Sequence, residues 1–189
     1  MRGAYCFYFM RVGDFELEGG SKMIQVYTGN GKGKTTAALG LALRASGAGL
    51  KVYIGQFAKG RCYSEIKALK KIKNIKIEQF GRCCFIKRPP EEKDFVLAYA
   101  GFKKISEIMR SKKYRLIVLD EINIAVKLGL IPLSDLLKLI KNTPKSIELV
   151  LTGRYAHPKI IKLADLVSEV KEVKHYYAKG VKARRGIEF

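Results

Sequence analysis

Acids are scarce in this sequence. Its 189 residues hold 17 Asp and Glu against 37 Lys and Arg, a formal net charge of +20. No apolar run approaches the ~18 residues that a membrane-spanning helix needs, so no membrane partner is expected. The four cysteines have no regular spacing, which excludes a disulfide framework. The two histidines enter no His–Ser or His–Cys constellation, the usual means of activating a nucleophile. The apolar run Ala4–Met10 is too short for a secretory signal and no small-residue cleavage site comes after it. These absences predict a soluble, reduced, cytoplasmic protein.

What is present is globular in composition, 48% hydrophobic and 29% charged. A length within the usual ~100–200 residues per domain predicts one domain, residues 23–189. Residues 1–22 read as an N-terminal extension or a mis-started segment. They carry three positive and three negative side chains, so the whole charge excess belongs to residues 23–189. A field of that sign suits phosphate-rich ligands, nucleic acid or an anionic surface. It equally suits the Lys-rich surface of a heat-adapted protein. Lys59–Lys76, with seven basic residues and one acid, reads either as an anion guide or as a solvated face.

From Met23 onward, strand-like and helix-like pieces alternate. Strands are expected at Ile24–Tyr27, Lys51–Phe57, Lys76–Phe80, Leu116–Leu119, Ile147–Thr152 and Leu166–Val170. Between them lie helical stretches from Lys34 to Ser46 (with Leu39, Ala42 and Leu43 at helical spacing) and around Ile66–Ile72. A long helix should come after Pro89-Pro90, with Glu91 and Glu92 in its first turn and a stripe of Phe95, Ala98, Phe102, Ile105 and Met109. Shorter helices are expected around Ala125, at Leu136–Ile140 and from Pro158. This alternation predicts an α/β fold, a mostly parallel sheet flanked by helices.

The strongest motif is Thr28-Gly29-Asn30-Gly31-Lys32-Gly33-Lys34-Thr35-Thr36, after a strand and before a helix, which is the context of a phosphate-binding P-loop. Glycines let successive N–H groups face one concavity, Lys34 adds a point charge, and the Thr35 hydroxyl is placed to hold Mg²⁺. The general pattern has glycine where Thr28 stands. Leu116-Ile117-Val118-Leu119-Asp120-Glu121 delivers two carboxylates to the carboxyl end of a buried strand, where α/β ligands bind and where an acid can hold Mg²⁺. The combination predicts Mg²⁺-nucleotide binding without naming a reaction.

The turn with its Thr28 closely resembles the P-loop of the ATP:corrinoid adenosyltransferases. Gln56-Phe57-Ala58-Lys59-Gly60, Leu119–Asn123, Leu151-Thr152-Gly153-Arg154, Ala164–Glu169 and the ending Lys179–Phe189 match the same family in the same order. The resemblance covers 24–189 and implies a RecA-like P-loop nucleotide-binding fold. It implies an enzyme in which Co(I) of a reduced corrinoid attacks the 5′ carbon of ATP and triphosphate leaves. Gly29, Asn30, Gly31, Lys32, Gly33, Lys34, Thr35 and Thr36 would then hold the triphosphate. Lys34, Lys32 and Glu121 would be catalytic, and Thr35, Glu121 and Asp120 would serve Mg²⁺ or Mn²⁺. Lys59 and Arg154 are further candidates for ligand contact. The expected partners are ATP, the corrinoid, an electron-donor flavoprotein and a second copy in a homodimer, with no nucleic acid.

Better-known members carry a Gly-Phe-Thr-Trp stretch whose rings press on the lower face of the corrin. This chain has Gly81-Arg82-Cys83-Cys84-Phe85-Ile86 and no tryptophan, which leaves Phe85 as the apolar wedge. Cys83 and Cys84 read as soft hydrophobes, and His157 and His175 as solvated or structural. The tail Lys179–Arg185 either closes over triphosphate or binds back on the surface. Two rival readings stay open: an ATPase acting on nucleic acid, and a non-catalytic nucleotide-dependent module.

Overall fold

The run Leu116–Leu119 offers no polar side chain to water, so it needs cover on both faces. In the computed structural model, which describes residues 22–60, 63–82 and 89–188, it becomes a fully buried strand in the interior of a sheet. The expectations for residues 1–21, Cys62, Cys83, Cys84 and Phe85 lie outside the described residues. Among the described residues the strands are β1 (Met23–Thr28), β2 (Val52–Phe57), β3 (Ile75–Phe80), β4 (Leu116–Asp120), β5 (Glu148–Thr152) and β6 (Leu166–Glu169). They lie in the order β3-β2-β4-β5-β1-β6, and every pairing is parallel.

Parallel neighbours need long crossovers, and helices fill them: α1 (Lys34–Gly47), α2 (Ser64–Leu69), α3 (Glu92–Ser111), α4 (Ile122–Lys127), α5 (Leu133–Lys141) and α6 (Pro158–Ile161). The period of two along each buried strand splits the core into two layers. Val52, Ile54, Leu116 and Val118 pack with Ala38, Ala42 and Ala45 of α1 and Ile66 and Leu69 of α2. Tyr53, Phe57, Ile117 and Leu119 face Phe102, Ile105 and Met109 of α3. Strand β5 stands between β1 and β4, so the glycine-rich turn and the two acids leave the same edge one strand apart. Among the described residues no helix is long and apolar enough to cross a membrane.

Two stripes differ from expectation. Phe95 is 40% exposed, because Asp94 takes the inward position of that turn and accepts the Glu91 N–H to close a reciprocal cap. Glu91 is thus the residue before α3 rather than part of its first turn. On α1 the buried face is alanine, which lets the helix lie close to the sheet, and Leu43 is 55% exposed.

Helix α3 crosses β3 so closely that a Cβ added at Gly101 would meet Phe80 Cγ at 2.1 Å and Phe80 Cβ at 2.6 Å. These atoms sit near the root of the phenylalanine and cannot swing aside. Gly101→Ala should therefore destabilise the fold by about 1–3 kcal/mol despite alanine's better helix propensity. Urea unfolding checks this: an unchanged or higher midpoint would refute the tight crossing.

Candidate active site

The turn between β1 and α1 is shaped by what crosses it. Val170, just past β6, accepts the Gly31 N–H at 2.7 Å. A Cβ at Gly31 would lie 2.7 Å from the Lys171 carbonyl oxygen, and one at Gly29 only 2.5 Å from that of Val170. Glycine at these places is required by the passing backbone. Gly33 precedes α1 with φ +125°, a conformation that side chains rarely adopt, and provides no side-chain cap. The first N–H groups of α1 are thus left to a ligand. The Gly31 N–H is committed to Val170, while Gly31 itself lines the cleft. Asn30 is exposed on the outer side of the turn, and neither it nor Gly29 lines the cleft beside α1.

Lys34 is buried, and its Nζ donates to the Gly31 carbonyl at 2.7 Å. Burial holds its ammonium below the ordinary lysine range; Glu121 opposes the shift, and Arg154 and Lys59 reinforce it. The loop has folded its principal cation back on itself.

The two adjacent acids have separate environments. Asp120 has no exposed surface. Its Oδ1 accepts Thr35 Oγ1 at 2.8 Å and Thr152 Oγ1 at 2.6 Å, and its Oδ2 accepts Gln56 Nε2 at 3.1 Å. Glu121 comes next with φ +59°, a left-handed turn that carries its side chain out of line with the strand and into the cleft. Its own N–H is held by Thr152 Oγ1 at 3.0 Å. Burial, with Asp120 alongside, pushes the Glu121 carboxyl up although Lys59 opposes it. Lys59 Nζ lies 3.4 Å from Asp120 Oδ2, 3.2 Å from Glu121 Oε1 and 3.4 Å from Thr35 Oγ1. Burial disfavours its charge, but the two carboxylates outweigh this and raise it above the ordinary lysine range.

These groups close one end of a cleft of about 1150 Å³. Arg154 and Tyr155 enter from the turn after β5, where Gly153 and Tyr155 both have positive φ. Apolar side chains line the cleft as well, Leu39 and Leu43 of α1 and Tyr63, Leu69 and Ile72 around α2, with Ser64 and Glu65 among them. The exposed Leu43 is thus a cleft wall. The structure brings together Gly31, Lys32, Gly33, Lys34, Thr35, Thr36, Lys59, Glu121 and Arg154, with Asp120 directly behind them.

Residues 20–189 match the family model described as ATP:corrinoid adenosyltransferase BtuR/CobO/CobP. A corrinoid adenosyltransferase of Pseudomonas aeruginosa is 35% identical over 169 residues, 88% of this chain and 83% of that one. The Salmonella typhimurium corrinoid adenosyltransferase CobA is 34% identical over 167 residues, 88% and 85% of the two chains. The chain belongs to this family. A solved KaiC-like protein from Pyrococcus horikoshii shares the fold, with a TM-score of 0.52 at 18% identity over 79% of this chain and 73% of that one. This places the sheet among RecA-like P-loop folds.

Several members of this adenosyltransferase's site were not singled out from sequence. Gln56 and Thr152 hold Asp120; each lies at the end of a strand beside β4, a signal that strand order would supply. Glu188 has no such signal. Its carboxylate takes Lys32 Nζ at 2.7 Å, the Tyr176 hydroxyl, and the Arg184 N–H at 2.6 Å. The tail thus folds back on the loop through Glu188, while Lys179–Arg185 stay exposed. His157 and His175 each accept a backbone N–H at the start of a helical turn, and His175 also lines the cleft.

Lys32 holds Glu188 where an incoming polyphosphate would need its charge. Exposed pairs of this kind contribute little, so Glu188→Gln should tighten inorganic triphosphate binding by only about twofold. Titration calorimetry reads this directly, and unchanged or weaker binding would show that Glu188 positions Lys32 rather than competing for it.

Proposed function

We propose that these residues serve a single reaction, the transfer of the 5′-deoxyadenosyl group of ATP to Co(I) of a reduced corrinoid, with triphosphate as leaving group. The observation that carries it is the mixed lining of one cleft, in which the start of α1 and three lysines share the wall with Leu39, Leu43, Tyr63, Leu69 and Ile72. At about 1150 Å³ its volume lies just above the ~300–1,000 Å³ typical of small-ligand sites, room for a nucleotide with part of a second substrate.

The chemistry asks little of the protein's acids and bases. The Co(I) substrate attacks C5′, a Co–C bond forms, the C5′–O bond breaks, and its electron pair departs on the triphosphate. No proton moves, so no general base is required. What the protein supplies is preorganised positive charge where negative charge grows: Lys32, Lys34 and the first amides of α1. Thr35, Asp120 and Glu121 fit a divalent ion, because their oxygens already gather around one cation, the Lys59 ammonium. Mg²⁺ or Mn²⁺ held there would neutralise part of the triphosphate charge. Glu121, which lines the cleft, would be a metal ligand on the substrate side, and Arg154, which lines the same cleft, would contact the nucleotide.

The corrinoid must arrive as Co(I), one electron below Co(II). We include in the proposal a reduced flavoprotein as donor, a homodimer as the working assembly and the reducing cytoplasm as the setting.

Anaerobic incubation with ATP, Mg²⁺ and chemically reduced cobalamin should give the absorption spectrum of an alkylated cobalamin and intact triphosphate. Release of ADP or orthophosphate without corrinoid would overturn the proposal, and stimulation by DNA or RNA would favour a nucleic-acid motor. Lys34→Ala should lower turnover by about 100-fold or more while circular dichroism stays native, since a donor opposite the developing charge is lost. Full activity in that variant would mean that the cradle is misassigned.

A further inference from the structure

We infer that Lys59 is a built-in counter-ion that keeps the metal site closed until the triphosphate arrives, so that a divalent ion is held firmly only together with nucleotide. This rests on the assignment of Thr35, Asp120 and Glu121 to the metal. The Lys59 ammonium is within 3.2–3.4 Å of an oxygen from each of the three. These separations are long for a hydrogen bond, and the charge is shared among the oxygens rather than committed to one. It occupies the position a cation would take, with only 14% of its side chain exposed. A divalent ion among the same oxygens would lie in contact with the ammonium, and the two would repel.

The surroundings decide how this conflict is resolved. The Lys59 backbone cannot recoil. A Cβ on Gly60 would lie 2.2 Å from the Arg82 carbonyl oxygen, and one on Gly81 would lie 2.6 Å from the Lys59 nitrogen, so the two chain segments are pressed together. Only the side chain can move, and it lines the cleft into which a triphosphate would project. Among the described residues no group of three or more His, Cys, Asp and Glu gathers to hold a metal. Two carboxylates and a hydroxyl, already neutralised by an internal cation, are a poor site for a bare divalent ion. The triphosphate changes both terms at once: it adds anionic oxygens for the metal and gives Lys59 a new partner. Metal and nucleotide then bind with positive coupling, and by linkage each tightens the other equally.

The probe is Mn²⁺, followed by electron paramagnetic resonance with the full chain, without corrinoid so that no reaction occurs. The wild-type protein should bind Mn²⁺ weakly alone and at least about tenfold more tightly with ATP present, within the usual span of coupling between sites. Lys59→Met should raise the affinity for Mn²⁺ in the absence of ATP about tenfold and shrink the effect of ATP by the same factor. Lys59→Arg should keep wild-type coupling, and Lys59→Gln provides a second test if the methionine variant unfolds. Equal affinity of the wild-type and Lys59→Met or Lys59→Gln proteins for Mn²⁺ without ATP would overturn the inference while leaving the metal site intact. Undiminished Mn²⁺ binding with ATP in Glu121→Gln would instead remove the metal-site assignment, and the inference with it.

Discussion

A carboxyl group with no exposure to water must find hydrogen-bond partners for its oxygens inside the protein, because desolvation costs more than any single contact returns. Asp120 is in that position at the end of β4. Its partners come from four separate elements: Thr35 from α1, Gln56 from β2, Thr152 from β5 and Lys59 from the segment after β2. A second tier supports these, with Gln79 of β3 donating to Gln56 and Thr152 also holding the Glu121 N–H. Satisfying one buried acid therefore fixes the mutual placement of the phosphate turn, of Glu121 and of Lys59. The site geometry arises from a folding constraint, and the order β3-β2-β4-β5 makes it attainable by placing the ends of β2 and β5 on either side of the acid and that of β3 one strand beyond.

A second constraint acts on the backbone. The chain leaving β6 must cross the glycine-rich turn, and the Gly31–Val170 bond with its lack of room for a Cβ records how near it passes. That crossing delivers the C-terminal segment to the outer side of the turn, where Tyr176 and Glu188 meet Lys32. The last residues of the chain are thereby part of the cleft wall, through Gly186, Ile187 and Glu188. A tail that in sequence is a run of basic residues contributes to the site through its one acid.

Local pattern made the scaffold legible. The strand, glycine turn and helix around Lys34, and the apolar run ending in two acids, are signals contained within about a dozen residues, and the structure contains both. What sequence could not show depends on direction and register. Phe95 fits a helical stripe by spacing, yet Asp94 displaces it because a cap is satisfied there. The division of labour between Asp120 and Glu121 arises from one left-handed residue, which no periodicity reports. Gln56 and Thr152 become partners of Asp120 only once the strand order is known. Glu188 reaches Lys32 across 156 positions, a contact set by the path of the tail.

The cations that would oppose a departing triphosphate each have an internal partner. Lys34 is bonded to the Gly31 carbonyl, Lys32 to Glu188, and Lys59 to Asp120 and Glu121. In the proposed reaction, substrate binding would be an exchange of partners rather than the filling of an empty site, and the ground-state gain from each contact would be reduced by the pair it replaces. This arrangement suits the chemistry. Uniformly tight binding of ATP would stabilise substrate and transition state alike and would not speed the transfer. Lysines brought onto the triphosphate in the ground state would need little further reorganisation when the C5′–O bond lengthens, and the charge then passing onto the triphosphate is the quantity they would oppose best. A site built this way would meet a departing polyanion with charge already in position and place its selectivity at the step where bond breaking occurs.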